Sequence, residues 1–479
     1  MMTRIESNQI RLISSELGDL ITPDHFLRKL AAAIDFSFIY EIVAPLYSSN
    51  GRPSVDPVML IKMLLIGYLY GIDSERKLEE EIRYNIVYRW FLGLGLTERT
   101  PDHSTLSQNR RRGFRGKEVF QQIFEAVVEK CMEAGLVKGK NVVMDSTHLK
   151  ANADNHRTEW VQVSKSADQY WLDLMDEYLG EKDLDPDYSF VTTVKAKNPH
   201  DPDAGYMHRS GKPKGFHYLD HQCSDADTGI ILDVSVTPGN VQDCTCCVER
   251  YAYLKREKHY PITNAGLDSG YDTITVHHGL TALGIKGYIS ECARGSGPHV
   301  KDDMFALRAF RFDAARDRYV CPNRCFLTFR TTTHHRGTPV TRYSARTQDC
   351  NNCDLRSRCF KGKVHLRSID RHIHQEDRDL GLLRIGTLPF KAIMRKRSVI
   401  CEGNFALQKR CHNLRFTRKR GLANVLEQCL LSAMALNLKR LVKYGKGSLL
   451  VAASAAMDFL RWLFWSVSVP KLSSACLNA

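Results

Sequence analysis

Between Arg395 and Arg420 carboxylates almost vanish: nine Lys or Arg residues stand there with a single acid, Glu402. The whole chain shows a milder form of the same deficit, with 54 acidic against 68 basic residues and a formal charge of +14 over 479 residues. Such an excess suits a polyanionic partner without specifying a fold. Long apolar runs are missing too, apart from Leu449 to Val469, which carries Asp458 and Arg461 at its middle. Two charges at bilayer depth are costly, so this run reads as a helix packed on protein rather than a membrane span. The first residues have no charged start, apolar core or small-residue cleavage site, so no secretory signal is expected there and the chain reads as a soluble, cytoplasmic protein. No internal repeat is visible, and the length favours two or more domains.

Cysteine, by contrast, is plentiful, with fifteen residues. In an intracellular chain these are expected to be reduced, so a disulfide framework is not expected. Five fall between Cys321 and Cys359. The spacing Cys350-x2-Cys353-x5-Cys359, with Cys321 upstream, offers four thiolates for a structural zinc or a relic of one, with Cys325 as a spare. Four thiolates leave no open coordination position, so this is not a catalytic metal site. Apolar periodicity fails from Ser290 to the Glu402 region, and the segment looks too poor in apolar residues to fold on a core of its own. Cys244, Cys246 and Cys247 read as small buried hydrophobes.

Taken in order, the chain opens with a helical stretch to Asn50. A helix is then well signalled at Asp56-Pro57, an N-cap followed by proline in the first turn, and its apolar run ends at Gly71. Helices follow over Ser74–Tyr84 and Val87–Leu92. Next comes Pro101-Asp102-His103-Ser104-Thr105-Leu106-Ser107-Gln108-Asn109-Arg110-Arg111-Arg112, where Thr105 and Gln108 suggest a capping box opening a helix with outward arginines. Short helices ending in an Arg-rich one suit a helix-turn-helix reader of DNA, with Thr105, Gln108, Arg110, Arg111 and Arg112 as contacts; an ordinary helical bundle with a solvated Arg face is the plainer reading of the same pattern. From Lys117 to Ala134 apolar residues recur at three and four, predicting an amphipathic helix. A strand then delivers Asp145. Residues 151–214 are a polar insertion, with a helix expected over Ser164–Leu179. A hairpin, Gly215–Asp225 and Gly229–Val236, leads through a helix to a strand ending at Asp268, another helix, and a strand at Gly287–Ile289. This order is a mixed α/β sheet flanked by helices. A long helix, Gly421–Leu441, follows the Glu402 region.

Asp145 and Asp268 each lie beyond an apolar run that reads as a buried strand, and such strand ends are where ligands of α/β sheets gather. A helix through Glu402 would place Arg395, Glu402 and Lys409 on one face. Three carboxylates beside a cationic surface make a site for a divalent metal acting on a phosphodiester. Each acid also has a plainer reading. Asp145 could cap a turn, Asp268 could serve the Ser269-Gly270 turn with Asp272 the better ligand, and Glu402 could pair with Arg395 or Lys409. His148, Asp154, Asp220, Asp225 and Asp243 are second-choice acids or bases.

With these residues placed, the sequence resembles a bacterial insertion-sequence transposase of the DDE type. The likeness rests on Pro101-Asp102-His103-Ser104-Thr105, Val143-Met144-Asp145-Ser146-Thr147, Asp201-Pro202-Asp203-Ala204, Thr237-Pro238-Gly239-Asn240, Asp268-Ser269-Gly270-Tyr271-Asp272, and Glu402-Gly403-Asn404-Phe405 with Lys409, Arg418 and Arg420-Gly421. It implies a ribonuclease H-like mixed sheet flanked by helices, an all-α N-terminal DNA-binding domain, and a Cys-rich insertion. It also implies Asp145, Asp268 and Glu402 as ligands of Mg2+ (or Mn2+), with Arg395, Lys409, Arg415, Arg418, Lys419 and Arg420 on DNA phosphates. Double-stranded DNA, both element ends and target, is the implied partner, bound by a homo-oligomer in a synaptic complex associated with the bacterial nucleoid. The expected division is 1–49 (helical segment), 50–116 (DNA-binding domain), 117–138 (connecting helix), 139–292 (first part of the core), 293–394 (Cys-rich insertion), 395–443 (last part of the core) and 444–479 (tail). An inactive DNA-binding derivative of a transposase, or a related nuclease, are the rival expectations.

Overall fold

The computed structural model describes residues 17–47, 54–110, 118–154, 157–163, 193–208, 214–292, 304–305, 307–335, 338–360 and 365–445. The expected helix over Ser164–Leu179, the apolar run Leu449–Val469, Arg111 and Arg112 lie outside the described residues. Among the described residues, no helix is long and apolar enough to cross a membrane.

Two compact units emerge, one of residues 1–137, 406–415 and 423–479, the other of 138–405 and 416–422. This cuts across the expected 395–443 segment. Its first helix belongs with the sheet, whereas its long last helix belongs with the N-terminal unit.

The first unit is helical: α1 (Phe26–Ala33), α2 (Phe38–Val43), α3 (Pro57–Leu69), α4 (Glu75–Tyr84), α5 (Ile86–Leu92), α6 (His103–Asn109) and α7 (Val119–Glu133). Asp56 caps α3 as its sequence predicts, its carboxylate accepting from the Met59 N–H at 3.1 Å, a contact worth about 1 kcal/mol. Helix α7 buries Val119, Phe120, Ile123, Phe124, Val127, Val128 and Cys131, the predicted apolar face. Helix α6 differs from expectation. Its N-cap is Asp102, which accepts from the Ser104 N–H at 2.7 Å, and no Thr105–Gln108 box opens it. Arg110, expected to point outward, is 7% exposed and ion-paired to both Glu75 and Glu427.

The second unit is built on a six-stranded sheet. Its strands, with a separate two-stranded sheet of β2 (Glu159–Val163) and β3 (Thr193–Lys197), are β1 (Asn141–Lys150), β4 (Gly205–Met207), β5 (Gly215–Asp225), β6 (Ile231–Pro238), β7 (Asn264–Leu267) and β8 (Lys286–Ile289). The order is β4-β5-β1-β7-β8, with β6 also on β5. β5 runs antiparallel to β1 and β6, whereas β1, β7 and β8 are parallel. Helices α8 (Cys247–Ala252) and α9 (Ile274–Ala282) connect β6 to β7 and β7 to β8. The predicted hairpin at Asp225–Gly229 is present, and Asp225 is wholly occupied there: it accepts from the N–H groups of Lys138, Gly139, Asp227 and Thr228. Cys246 and Cys247 are buried, as small hydrophobes should be.

The cysteine-rich segment corrects its expectation. It forms a five-stranded antiparallel sheet in the order β13-β12-β11-β10-β9, from β9 (Arg311–Asp313), β10 (Arg318–Val320), β11 (Phe326–His335), β12 (Thr338–Ser344) and β13 (Ser368–His372). Between β12 and β13 run the short helices α10 (Thr347–Asn351) and α11 (Arg356–Cys359). A core of its own exists, made of Phe310, Tyr319, Leu327, Tyr343, Ala345 and Ile369, with Cys321, Cys350 and Cys359 packed against it. Its buried residues come singly from strands and their flanks and leave no periodic signal in the sequence.

After β13 come α12 (Gln375–Leu382), α13 (Leu388–Arg397), a π-helical turn Ser398–Glu402, α14 (Gly403–Cys411) and α15 (Leu422–Tyr444). The 416–422 stretch is strapped to the sheet. Phe416 bridges to Lys150, the Asn152 N–H donates to Thr417 Oγ1 at 2.9 Å, and the Gly421 N–H donates to Asp201 Oδ1 at 3.0 Å. The Asp201-Pro202-Asp203-Ala204 motif is therefore an anchor, with Asp203 accepting from the Leu422 N–H.

Candidate active site

The parallel pairing of β1 with β7 puts Val143 opposite Gly266. Side chains alternate along a strand, so two residues further on Asp145 and Asp268 emerge on the face that Val143 and Gly266 share. Asp145 is not at a strand end as expected, because β1 continues past it paired with β5 (Asp145 opposite Gln222). What ends there is the parallel ladder. Asp268 lies one residue beyond β7 and caps the 3-10 turn Ser269–Tyr271.

Each carboxylate is divided between two tasks. Asp145 Oδ1 accepts from the Ser146 N–H at 2.9 Å, and Asp268 Oδ1 accepts from the Gly270 N–H at 2.8 Å. The other oxygens converge on one nitrogen: Arg397 Nη2 lies 2.8 Å from Asp145 Oδ2 and 3.3 Å from Asp268 Oδ2. Serving the Ser269-Gly270 turn and facing a shared cation are thus compatible roles for Asp268. The Asp145 carboxyl is raised to about 6, chiefly by burial and further by Asp268, against the opposing pull of Arg397.

Arg397 reaches this point because α13 lies close on the sheet. Ile393 packs with Val143, Ala226 and Cys401, and a Cβ on Gly266 would meet Val143 Cγ1 at 3.0 Å and Ile393 Cγ1 at 3.1 Å. Arg397 follows Ile393 by four residues and so shares its face. Its side chain is 12% exposed, and its buried Nε has no hydrogen-bond partner among the described residues.

Glu402 is exposed, and its Oε1 accepts from Ser398 Oγ at 2.8 Å. The continuous α-helix that would align Arg395, Glu402 and Lys409 is interrupted by the π-turn, whose wider loop shifts the phase. Arg395 is exposed, and the paired arginine is Arg397. Burial, and after it Asp145, Asp268 and Glu402, push the Cys401 thiol far up, with Arg397 opposing. Sequence reading counted Arg397 among the basic residues without singling it out. It also passed over Tyr271, whose buried hydroxyl has no partner among the described residues and is pushed up by burial and by Asp145.

Asp272, the rival ligand, is occupied. Arg378 donates to it twice, at 3.0 and 2.8 Å, His277 Nε2 lies 3.0 Å away, and the Cys292 N–H donates at 2.9 Å. Together these hold its carboxyl well below the usual range despite burial.

Two family models match the sequence, one described as Transposase domain (DUF772) over residues 15–112 and one as Transposase DDE domain over residues 320–442. The chain carries a DDE-type transposase domain. The DDE match takes in Glu402, the basic stretch and the cysteine segment, and the N-terminal match takes in α1 to α6. Asp145 and Asp268 lie outside both. Among solved structures, the cryo-EM structure of the piggyBac transposase synaptic complex with hairpin DNA is similar at 10% identity. It covers 94% of this chain and 83% of that one with a TM-score of 0.34, a likeness too weak to carry an argument about the fold. No curated protein matches the sequence significantly.

The remaining expected contacts are placed as follows. Thr105 and Gln108 lie on α6, with Gln108 exposed, and Arg415 and Arg420 are exposed. Arg418 and Lys419 are half-buried in the strapped 416–422 stretch, and Lys409 is half-buried on α14. In the cysteine segment, the Cys321 N–H donates to the Cys325 carbonyl at 2.9 Å across a tight turn. Burial and the neighbouring Cys350, Cys321 and Cys353 push the Cys359 thiol up. Among the described residues, the compact three-ligand sets are two, and neither is drawn from these cysteines.

Proposed function

We propose that this transposase cleaves DNA at the ends of an insertion sequence and joins the freed ends to target DNA, with Asp145, Asp268 and Glu402 as its metal-binding acids. The observation that carries the reading is the convergence of Asp145 Oδ2 and Asp268 Oδ2 on a single cationic nitrogen. The strand order, with antiparallel β6-β5-β1 continued by parallel β7 and β8, supports a ribonuclease H-like core.

The donor set fits Mg2+ or Mn2+, being hard carboxylate oxygens; Asp145 and Asp268 are each anchored by a backbone N–H and share a cation, and Glu402 is held by the Ser398 hydroxyl. Bound by Asp145, Asp268 and Glu402, divalent metal would supply Lewis acidity for an in-line displacement at phosphorus. Backbone N–H groups of Ser146 and Gly270 fix the two aspartates and leave their Oδ2 atoms together on Arg397, which metal would displace. Arg395, Lys409, Arg415, Arg418, Lys419 and Arg420 would hold phosphates, giving binding that weakens with salt. Thr105 and Gln108 would position the element's ends. Two ends must be joined, which calls for more than one copy of the chain in the working complex.

The test is cleavage of a labelled duplex carrying the ends that flank this gene, with Mg2+ or Mn2+, for wild type, Asp145→Asn, Asp268→Asn and Glu402→Gln. Each variant is expected to retain DNA binding and lose cleavage by roughly a hundredfold or more. Normal cutting by Glu402→Gln would remove it from the triad. Binding without any cleavage by wild type would favour an inactive derivative, and cleavage without joining a nuclease.

A further inference from the structure

A second cluster of metal-ligating side chains lies outside the three acids. His278, on α9, and His374 and Asp377, at the start of α12, offer ligand atoms that all lie within 4.8 Å of one another. The His278 and His374 rings stack with centroids 3.6 Å apart and planes 19° from parallel. His278 Nδ1 is 2.7 Å from Asp377 Oδ2.

The scaffold around them is tight. A Cβ on Gly381 of α12 would lie 2.4 Å from the His277 ring, so α12 and α9 approach backbone to side chain. The bidentate Arg378–Asp272 pair locks the same two segments. His372 Nδ1 accepts the His374 N–H at 3.0 Å, fixing the turn that presents His374. The other three-ligand set, Glu79, Asp102 and His103, is already explained as helix capping. Glu79 takes the His103 N–H and Nδ1 at 3.0 and 2.8 Å, and Asp102 takes the Ser104 N–H.

We propose that His278, His374 and Asp377 form a binding site for a divalent transition metal of the Zn2+ type. Two imidazole nitrogens and a carboxylate suit zinc better than the hard Mg2+ of the acidic site, and three protein ligands leave a coordination position open. The metal would clamp α9, which follows the Asp268 turn, to α12, which leads out of the cysteine-rich sheet. Nothing in this assignment depends on the chain cutting DNA.

The experiment uses the full chain, freed of metal by chelation and held in excess Mg2+, with Zn2+ as the probe. Diethyl pyrocarbonate modification is mapped by mass spectrometry with and without Zn2+. His278 and His374 are expected to be protected by Zn2+, while the exposed His365 is modified equally in both. In parallel, His374→Gln and Asp377→Asn are each expected to bind one Zn2+ fewer than wild type, or to bind it at least about tenfold more weakly. With Co2+ as the probe, any thiolate charge-transfer absorption from the cysteines should survive both substitutions. Equal modification of His278 and His374 with and without Zn2+ would overturn the proposal, as would unchanged stoichiometry and affinity in both variants. If a variant fails to fold, the wild-type footprint decides alone.

Discussion

One guanidinium nitrogen of Arg397 lies 2.8 Å from Asp145 Oδ2, and the same nitrogen reaches Asp268 Oδ2 at 3.3 Å. A cation thus already stands between the two carboxylates proposed to hold metal, and metal binding must compete with it. Asp145 is raised to about 6 from 3.8, so it is ionised above that pH. Mn2+ binding, followed by electron paramagnetic resonance, should therefore rise with pH through 6. In metal-free protein the sign is opposite: the native state holds this proton more tightly than the unfolded chain, so the group adds stability as pH falls from about 6 towards 3.8. Arg397→Gln removes a charge that favours the ionised form. Its Mn2+ midpoint should move up by on the order of one pH unit, while affinity at pH 8 increases because no guanidinium is displaced.

Two glycines near the site should respond in opposite ways to alanine. At Gly266 the new methyl would press on Val143 and Ile393 at 3.0 and 3.1 Å, costing about 1–3 kcal/mol and pushing α13 off the sheet. Gly403 has helical φ and ψ of −62° and −43°, and a Cβ there meets nothing within 4 Å. Gly403→Ala should stabilise by roughly 0.5–1 kcal/mol. Urea denaturation of both variants checks the pair, and equal effects would mean that α13 does not pack as described.

Arg110 is a structural residue of the helical unit. Arg110→Met leaves the buried Glu427 and the partly buried Glu75 without their cation, and should cost about 3–5 kcal/mol. DNA affinity measured on the folded fraction should change little. A large loss of affinity with unchanged stability would restore Arg110 to the DNA surface.

Asp272→Asn separates a scaffold acid from a metal ligand. It weakens the contacts to Arg378 and His277, so it should lower the melting temperature, with a loss of roughly 3–5 kcal/mol. Mn2+ affinity of the folded protein should stay within about threefold of wild type. A selective loss of Mn2+ binding would identify Asp272 as the ligand in place of Asp268.

The sequence by itself determined most of the elements. The Asp56-Pro57 start, the apolar face of α7, the Asp225–Gly229 hairpin and the apolar strand that precedes Asp268 follow from local periodicity, capping and turn chemistry, which neighbours along the chain settle. It also isolated Asp145, Asp268 and Glu402, because acids beside apolar runs or within a basic stretch stand out. Tertiary structure decided the rest. The register of β1 on β7 brings Asp145 and Asp268 to one face, and the π-turn replaces Arg395 with Arg397. Packing buries Arg110 between two glutamates that lie 35 and 317 residues away along the chain. Charge and spacing can nominate an arginine, but only the partners brought to it by folding determine whether it faces a carboxylate or solvent.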